Sequence, residues 1–295
     1  MNVRTIVVMA LLTVFIAPTA RADAILVTSP TTAGWWRVPT YSSTNQFDYI
    51  DDQQTGHPEA DIVGSPANPA FYTAFNDPNH TPSLLDGEIA YRVRVGGDRT
   101  PTIGGWDKVL VIGMDVDLNG SLDVFMTASR NSQANAIWDA GPGANISPST
   151  TTIANTPYQT FAWTSNNFYY TNVSTAIDPP VTDTDLDDDG YTDWFVTFSL
   201  PFTNLVLSVR ALTGVDINEQ SRVAYVVATS TQDNAFNQDL NGIPKTYNAN
   251  ATWQSLGALS DPIVIPEPGC VMLLGVGLVC LLLRRNTASA ARRGH

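Results

Sequence analysis

Two segments of the chain space oxygen donors in the same way. The first is Asp115-x-Asp117-x-Asn119-Gly120-x-x-Asp123 and the second is Asp185-x-Asp187-x-Asp189-Gly190-x-x-Asp193. Calcium is a hard cation that takes six to eight oxygens, and side chains at alternate positions converge on one point when a glycine permits the turn after the third. The carbonyl of Ser121 or Tyr191 would serve at the seventh position, and Asp123 or Asp193, directly or through water, at the ninth. The twelfth position, a bidentate Glu in an EF-hand, is Met126 or Val196 here. Both flanks read as strands, so these are not EF-hands; as metal sites they would be calcium loops of lower ligand count between strands. The same residues suit a plain β-hairpin tip, because Asn119-Gly120 and Asp189-Gly190 are type I′ turn pairs and Asp makes Asx turns. In the second segment Asp183, Asp185, Asp187, Asp188, Asp189 and Asp193 crowd into eleven residues, a density that repels itself unless a cation or water screens it. A third fragment, Asn237-x-Asp239-x-Asn241-Gly242, lacks the later acid and reads as a turn.

Other chemistry is sparse. The body holds two histidines, His57 and His80, both in Pro/Asn/Asp-rich loops. No Gly-x-Ser-x-Gly, His-Glu-x-x-His or phosphate loop occurs in the sequence. Glu59, Glu88, Glu219 and Glu267 are the few glutamates available to a two-carboxylate glycosidase. The expectation is a protein that is not an enzyme, with an extracellular polysaccharide-acting hydrolase as the alternative. All seven tryptophans lie in the body. Trp138, Trp163, Tyr169 and Tyr170 sit in segments where an exposed ring could stack on a sugar, although packing explains most aromatics in a β-sandwich.

The elements that would position these residues are strands. Glu88 to Val95 alternates polar and apolar residues, and Lys108–Gly113, Leu122–Ser129, Trp194–Ser199 and Arg222–Thr229 are β-rich runs of strand length. Clusters of Pro, Gly, Asn, Asp and Ser/Thr separate them. Pro201-Phe202-Thr203-Asn204-Leu205 opens the one short helix expected, and Gly141–Pro157 reads as a long surface loop. The pattern predicts an all-β protein, an antiparallel β-sandwich of jelly-roll or carbohydrate-binding-module type, folded as one domain over residues 25–262.

The ends of the chain differ from this body. Residues 1–24 read as a signal peptide: Arg4, an uncharged run from Ile6 to Ile16, and small-x-small sites at Ala20-Arg21-Ala22 and Ala22-Asp23-Ala24. Residues 263–295 hold Pro266-Glu267-Pro268, an uncharged stretch at 269–283, and Arg284-Arg285. As a helix that stretch is about 22 Å long, short of a ~30 Å hydrocarbon core unless Ile263 to Ile265 and arginine snorkelling extend it. The arginines place the body outside. The only cysteines, Cys270 and Cys280, lie in this stretch, so no disulfide or thiolate serves the body. Removing the six arginines and Asp23 of the two ends from 15 basic and 28 acidic residues leaves nine against 27, net −18. Such a body excludes nucleic acid as a partner, since phosphate binding needs excess Lys and Arg.

The order Pro266-Glu267-Pro268, apolar span, Arg284-Arg285 resembles a PEP-CTERM sorting signal. The resemblance implies a Gram-negative bacterium that makes extracellular polysaccharide, with signal peptidase and an exosortase as processing partners. It implies an inner-membrane intermediate held through residues 269–283, and then a place at the cell surface or in the extracellular matrix. It concerns sorting and leaves the role of the body open. The body itself resembles, loosely, family-nine-like carbohydrate-binding sandwiches and DOMON-like domains. The residues concerned are Asp61-Ile62, the Gly87–Val95 strand, Val109 to Asp117 and Trp194 to Leu205. This resemblance implies a sandwich with a structural or glycan-associated role, extracellular polysaccharide being the ligand class.

Overall fold

The computed structural model describes residues 27–39, 48–49, 52–54, 56–76, 87–98 and 105–264, all within one compact unit, Ala24–Pro268. The expected signal peptide, the Pro266–Pro268 motif, the 269–283 span and Arg284-Arg285 lie outside the described residues. Among the described residues no helix is long and apolar enough to cross a membrane.

The described chain is mostly β, in two antiparallel sheets. In chain order the strands are β1 (Trp36–Arg37), β2 (Phe71–Asn76), β3 (Glu88–Val95), β4 (Val109–Asp115), β5 (Val124–Ser129) and β6 (Ala134–Asp139). There follow β7 (Gln159–Ala162), β8 (Phe168–Asn172), β9 (Trp194–Pro201), β10 (Arg222–Ser230), β11 (Asp239–Leu240) and β12 (Ile263–Val264). One sheet runs β1-β2-β3-β9-β8 and the other β11-β10-β4-β5-β6-β7, with β12 added to β10. The five strand runs read from the sequence, Glu88–Val95, Lys108–Gly113, Leu122–Ser129, Trp194–Ser199 and Arg222–Thr229, are present with ends shifted by a few residues.

The alternation in β3 sorts its side chains to two faces. Ile89, Tyr91, Val93 and Val95 enter a core shared with Leu110, Ile112 and Met114 of β4 and with Val223, Tyr225 and Val227 of β10. Rings meet across the two sheets: Tyr225 lies edge-on to Tyr91 at 5.8 Å and to Phe71 at 5.7 Å. The other face of β3 carries Arg92 and Arg94, yet it too is buried. Arg92 sits 4.3 Å over the ring of Trp35 and donates to the carbonyls of Ser29 and Thr31 and to Thr197 Oγ1. The N-terminal segment thus covers a polar strand face by supplying backbone acceptors to the guanidinium, with the charge of Asp178 adding support. β4 and β10 are likewise buried on both faces. Val109, Val111, Val226 and Ala228 pack against Trp253, Ile153 and Ile243 in a second cluster.

Helix α1 (Phe202–Thr213) follows Pro201 directly, as its sequence predicts, with Pro201 at the N-cap. It buries Phe202, Leu205, Ser208 and Val209, an i, i+3, i+6, i+7 stripe, and stops at Gly214, whose φ of 76° gives the left-handed C-terminal turn. It is not the only helix: a 3-10 turn at Pro58–Ala60 and α2 (Trp253–Leu256) also form. The Gly141–Pro157 segment is less superficial than its turn-rich sequence suggests. Asn145, Ser147 and Ile153 are buried, and the indole N–H of Trp253 donates to the Asn145 carbonyl at 3.1 Å. Ile263 and Val264, read as an extension of the apolar span, instead pair with Val223 and Arg222 as β12.

Candidate metal centres

The first acidic loop joins β4 to β5. The second follows a long strand-free connection from β8, so only its C-terminal flank, β9, is a strand; the expected strand before Asp185 does not form. Despite different surroundings the two loops fold alike. The N–H groups at the fifth and sixth positions donate to the first aspartate: Asn119 and Gly120 to Asp115 at 3.2 and 2.8 Å, Asp189 and Gly190 to Asp185 at 3.2 Å each. The fifth-position Oδ1 accepts from the seventh N–H, Ser121 or Tyr191, at 2.7 Å in both. The ninth-position Oδ2 accepts from the second N–H, Val116 at 2.8 Å or Leu186 at 3.2 Å. The fourth position is left-handed in each, Leu118 at φ 61° and Asp188 at 57°, as is the glycine at the sixth, Gly120 at 88° and Gly190 at 86°.

This geometry replaces the type I′ reading, which needs φ > 0 at both central residues; here the positive φ values fall on residues four and six. A leucine held at positive φ costs about 1–2 kcal/mol, and the same bend recurs seventy residues on with a different side chain. The backbone shape is therefore set by the alternating acids and their N–H donors.

One carboxylate oxygen from each of Asp115, Asp117 and Asp123 lies within 4.8 Å of the others, and the same holds for Asp185, Asp187 and Asp193. Asp189, expected as a ligand, is outside the second group, and Asn119 likewise turns its Oδ1 to the main chain. The loops differ in how well they satisfy themselves. In the first, the Asn119 amide donates to Asp117 at 2.9 Å. In the second, position five is an acid with no such donor, and buried oxygens Asp187 Oδ1 and Asp193 Oδ1 have no hydrogen-bond partner. Arg94 of β3 answers part of this charge: its Nε donates to Asp193 Oδ2 at 2.6 Å, its Nη2 pairs with the same oxygen, and the pair is fully buried.

Electrostatics follow the geometry. Burial, with Asp189 and Asp193 adding repulsion, pushes Asp187 from 3.8 up to about 8. Burial raises Asp193 to about 6 against the pull of Arg94, and it raises Asp123 to about 6, with Asp117 and Asp115 contributing. Asp115 is raised too, by burial, while the N–H groups of Gly120 and Asn119 oppose the shift. Each loop is thus an oxygen-only donor set in which two carboxylates, Asp115 and Asp123 or Asp187 and Asp193, resist ionisation. Such a set fits calcium by donor chemistry.

Sequence reasoning did not see everything. Asp239, read as a turn residue, is 3 % exposed and opens β11. Nor do the four candidate aromatics form a stacking platform. Trp138 is buried with its indole N–H on Thr127 Oγ1, and Trp163 stacks face to face on Phe168 at 3.7 Å. Tyr170 stacks on Trp194 and donates to the Gly97 carbonyl, while Tyr169 packs against the cluster around Tyr72 and Phe195.

A family model of the PEP-CTERM protein-sorting motif matches residues 264–286. The chain carries a PEP-CTERM sorting motif. The match takes in Pro266, Glu267, Pro268, Arg284 and Arg285, and begins at Val264, the last residue of β12. The PEP-CTERM motif implies export, processing by an exosortase and a place at the cell surface or outside the cell. No curated protein and no solved structure matches the chain.

Proposed function

We propose that the body is a non-catalytic β-sandwich, displayed at the cell surface or in the extracellular matrix, whose two acidic loops bind calcium. The observation that carries calcium is the shared loop geometry, with buried oxygens on Asp187 and Asp193 that lack partners. The aromatic and aliphatic core drawn from both sheets supports the sandwich reading. A structural role is favoured over sugar stacking because Trp138, Trp163, Tyr169 and Tyr170 are spent on packing. Any association with extracellular polysaccharide would use other surfaces. A non-catalytic role also agrees with Glu59, which is held by Lys108 at 2.9 Å and by His57 at 2.9 Å. Signal peptidase at the N-terminus and an inner-membrane intermediate held through residues 269–283 complete the route. Extracellular calcium modules have Kd values around 10⁻⁴–10⁻³ M, so millimolar calcium should raise the melting temperature. Asp187→Ala should remove most of that rise, and magnesium should reproduce little of it. Identical responses from wild type and Asp187→Ala would make the second loop a plain connection.

A further inference from the structure

A third group of acids assembles from segments far apart in the chain. Asp48, Asp52, Asp61 and Asp239 are 2, 6, 0 and 3 % exposed, and one oxygen from each of Asp52, Asp61 and Asp239 lies within 4.8 Å of the others. Backbone N–H groups hold three of them. Asp239 accepts from Ile62 and Leu240 at 2.6 Å each, Asp48 from Gly242 at 2.6 Å and Tyr49 at 3.0 Å, and Asp61 from Gln53 at 3.3 Å. N–H donors favour the ionised carboxylate, while burial and the neighbouring acids oppose it. Oxygens are nevertheless left over. Both carboxylate oxygens of Asp52, Asp48 Oδ2 and the amide oxygen of Gln238, itself 8 % exposed, are buried without a partner. Lys245 brings one positive charge, and its ammonium bonds the Gln53 carbonyl at 2.9 Å.

An open cavity of about 410 Å³ is lined by Asp52, Gln238, Asp239 and Lys245, which supplies a way in from solvent. We propose that Asp48, Asp52, Asp61 and Asp239, with the Gln238 amide oxygen, form a buried calcium site separate from the two acidic loops. The donors are all oxygen, with neither nitrogen nor sulfur among them, the set that a hard cation selects. The cavity leaves room for water to complete the shell. The site ties the segment before β2 to β11, across the 177 residues that separate Ile62 from Asp239. It adjoins the second loop, since the charge of Asp61 is among those that raise Asp187.

The test uses the exported protein, stripped with EDTA and titrated with calcium by calorimetry. Asp117→Ala/Asp187→Ala silences both loops by removing a donor oxygen from each, and this double variant should still take up one calcium per chain. Adding Asp52→Asn should weaken that binding at least about tenfold, because affinity follows ligand charge. Asp52→Asn keeps the shape of the side chain and an acceptor oxygen, and the metal-free melting curve checks that the fold is kept. Two results overturn the site. One is a double variant that takes up no calcium. The other is uptake by the double variant that Asp52→Asn leaves unchanged. A metal-free Asp52→Asn chain that melts higher, with no calcium response in its parent, would assign the cluster to carboxyls sharing protons.

Discussion

Asp187 occupies the space that a side chain on Gly96 would need. A β-carbon on Gly96 would stand 2.6 Å from Asp187 Oδ2 and 3.3 Å from Val63 Cγ1. The end of β3 is thus shaped to admit the carboxylate of a loop ninety residues away. Gly96→Ala should fold, since its N–H bond to the Asp61 carbonyl at 2.9 Å is unaffected, but it must displace Asp187. Most of the calcium-induced rise in melting temperature should be lost. A variant with the full wild-type response would show that Asp187 does not contribute to binding.

Arg94 and Asp193 form a buried ion pair, 1 % and 0 % exposed. Removing one partner leaves an uncompensated charge, a loss of about 3–5 kcal/mol. Arg94→Met should show that loss in urea denaturation of the metal-free protein. Calcium should recover part of it, because a cation at the loop replaces the missing guanidinium. A loss below about 1 kcal/mol, the range of a solvent-exposed ion pair, would mean that Asp193 is protonated or solvated instead.

Stability of the metal-free protein should fall as pH rises. In the folded form Asp187 is raised from 3.8 to about 8, and Asp193 and Asp123 to about 6. The folded state therefore keeps protons that the unfolded state releases, so stability is fullest below 3.8 and declines through pH 6 to 8. Calcium should abolish the decline at its upper end by binding the ionised carboxylates. Melting curves at pH 4 to 8, with and without calcium, measure this. A metal-free protein most stable at pH 8 would contradict it.

The PEP-CTERM motif over residues 264–286 predicts a mature protein that has lost residues 270–283. Intact-mass spectrometry of secreted protein reads this directly. Replacing Pro266, Glu267 and Pro268 by alanine should leave the full-length chain with the cell envelope. Secreted wild type that still holds residues 270–283 would exclude removal of the tail.

The sequence exposes most of what is local. Glu88–Val95 is legible as a strand because its residues alternate, although nothing local shows that the Arg92 and Arg94 face would be buried by Ser29, Thr31 and Asp193. The short strands β7 and β8 escape notice because both are only half buried and so lack a strong apolar pattern. The two loops are legible by their spacing, while their bend is not, since Leu118 and Asp188 are unusual residues at positive φ. The fate of Trp138 depends on Thr127 across the sheet. The cluster of Asp48, Asp52, Asp61 and Asp239 leaves one trace, the Asn237-x-Asp239-x-Asn241-Gly242 fragment, because chain closure over long separations assembles it.

Strand β12 ends at Val264, and Ile265 alone stands between it and Pro266. One extended residue reaches at most about 3.6 Å, so the motif begins within that reach of the strand's end. Any pull on the tail arrives first at a two-residue ladder and at the Arg222 bond to the Pro262 carbonyl, 2.8 Å long. A ladder loaded at its end opens one bond at a time, long before the central strands β4 and β3 feel the force. The pairing of β12 on β10 would therefore peel first under tension, lengthening the leash before the core is loaded.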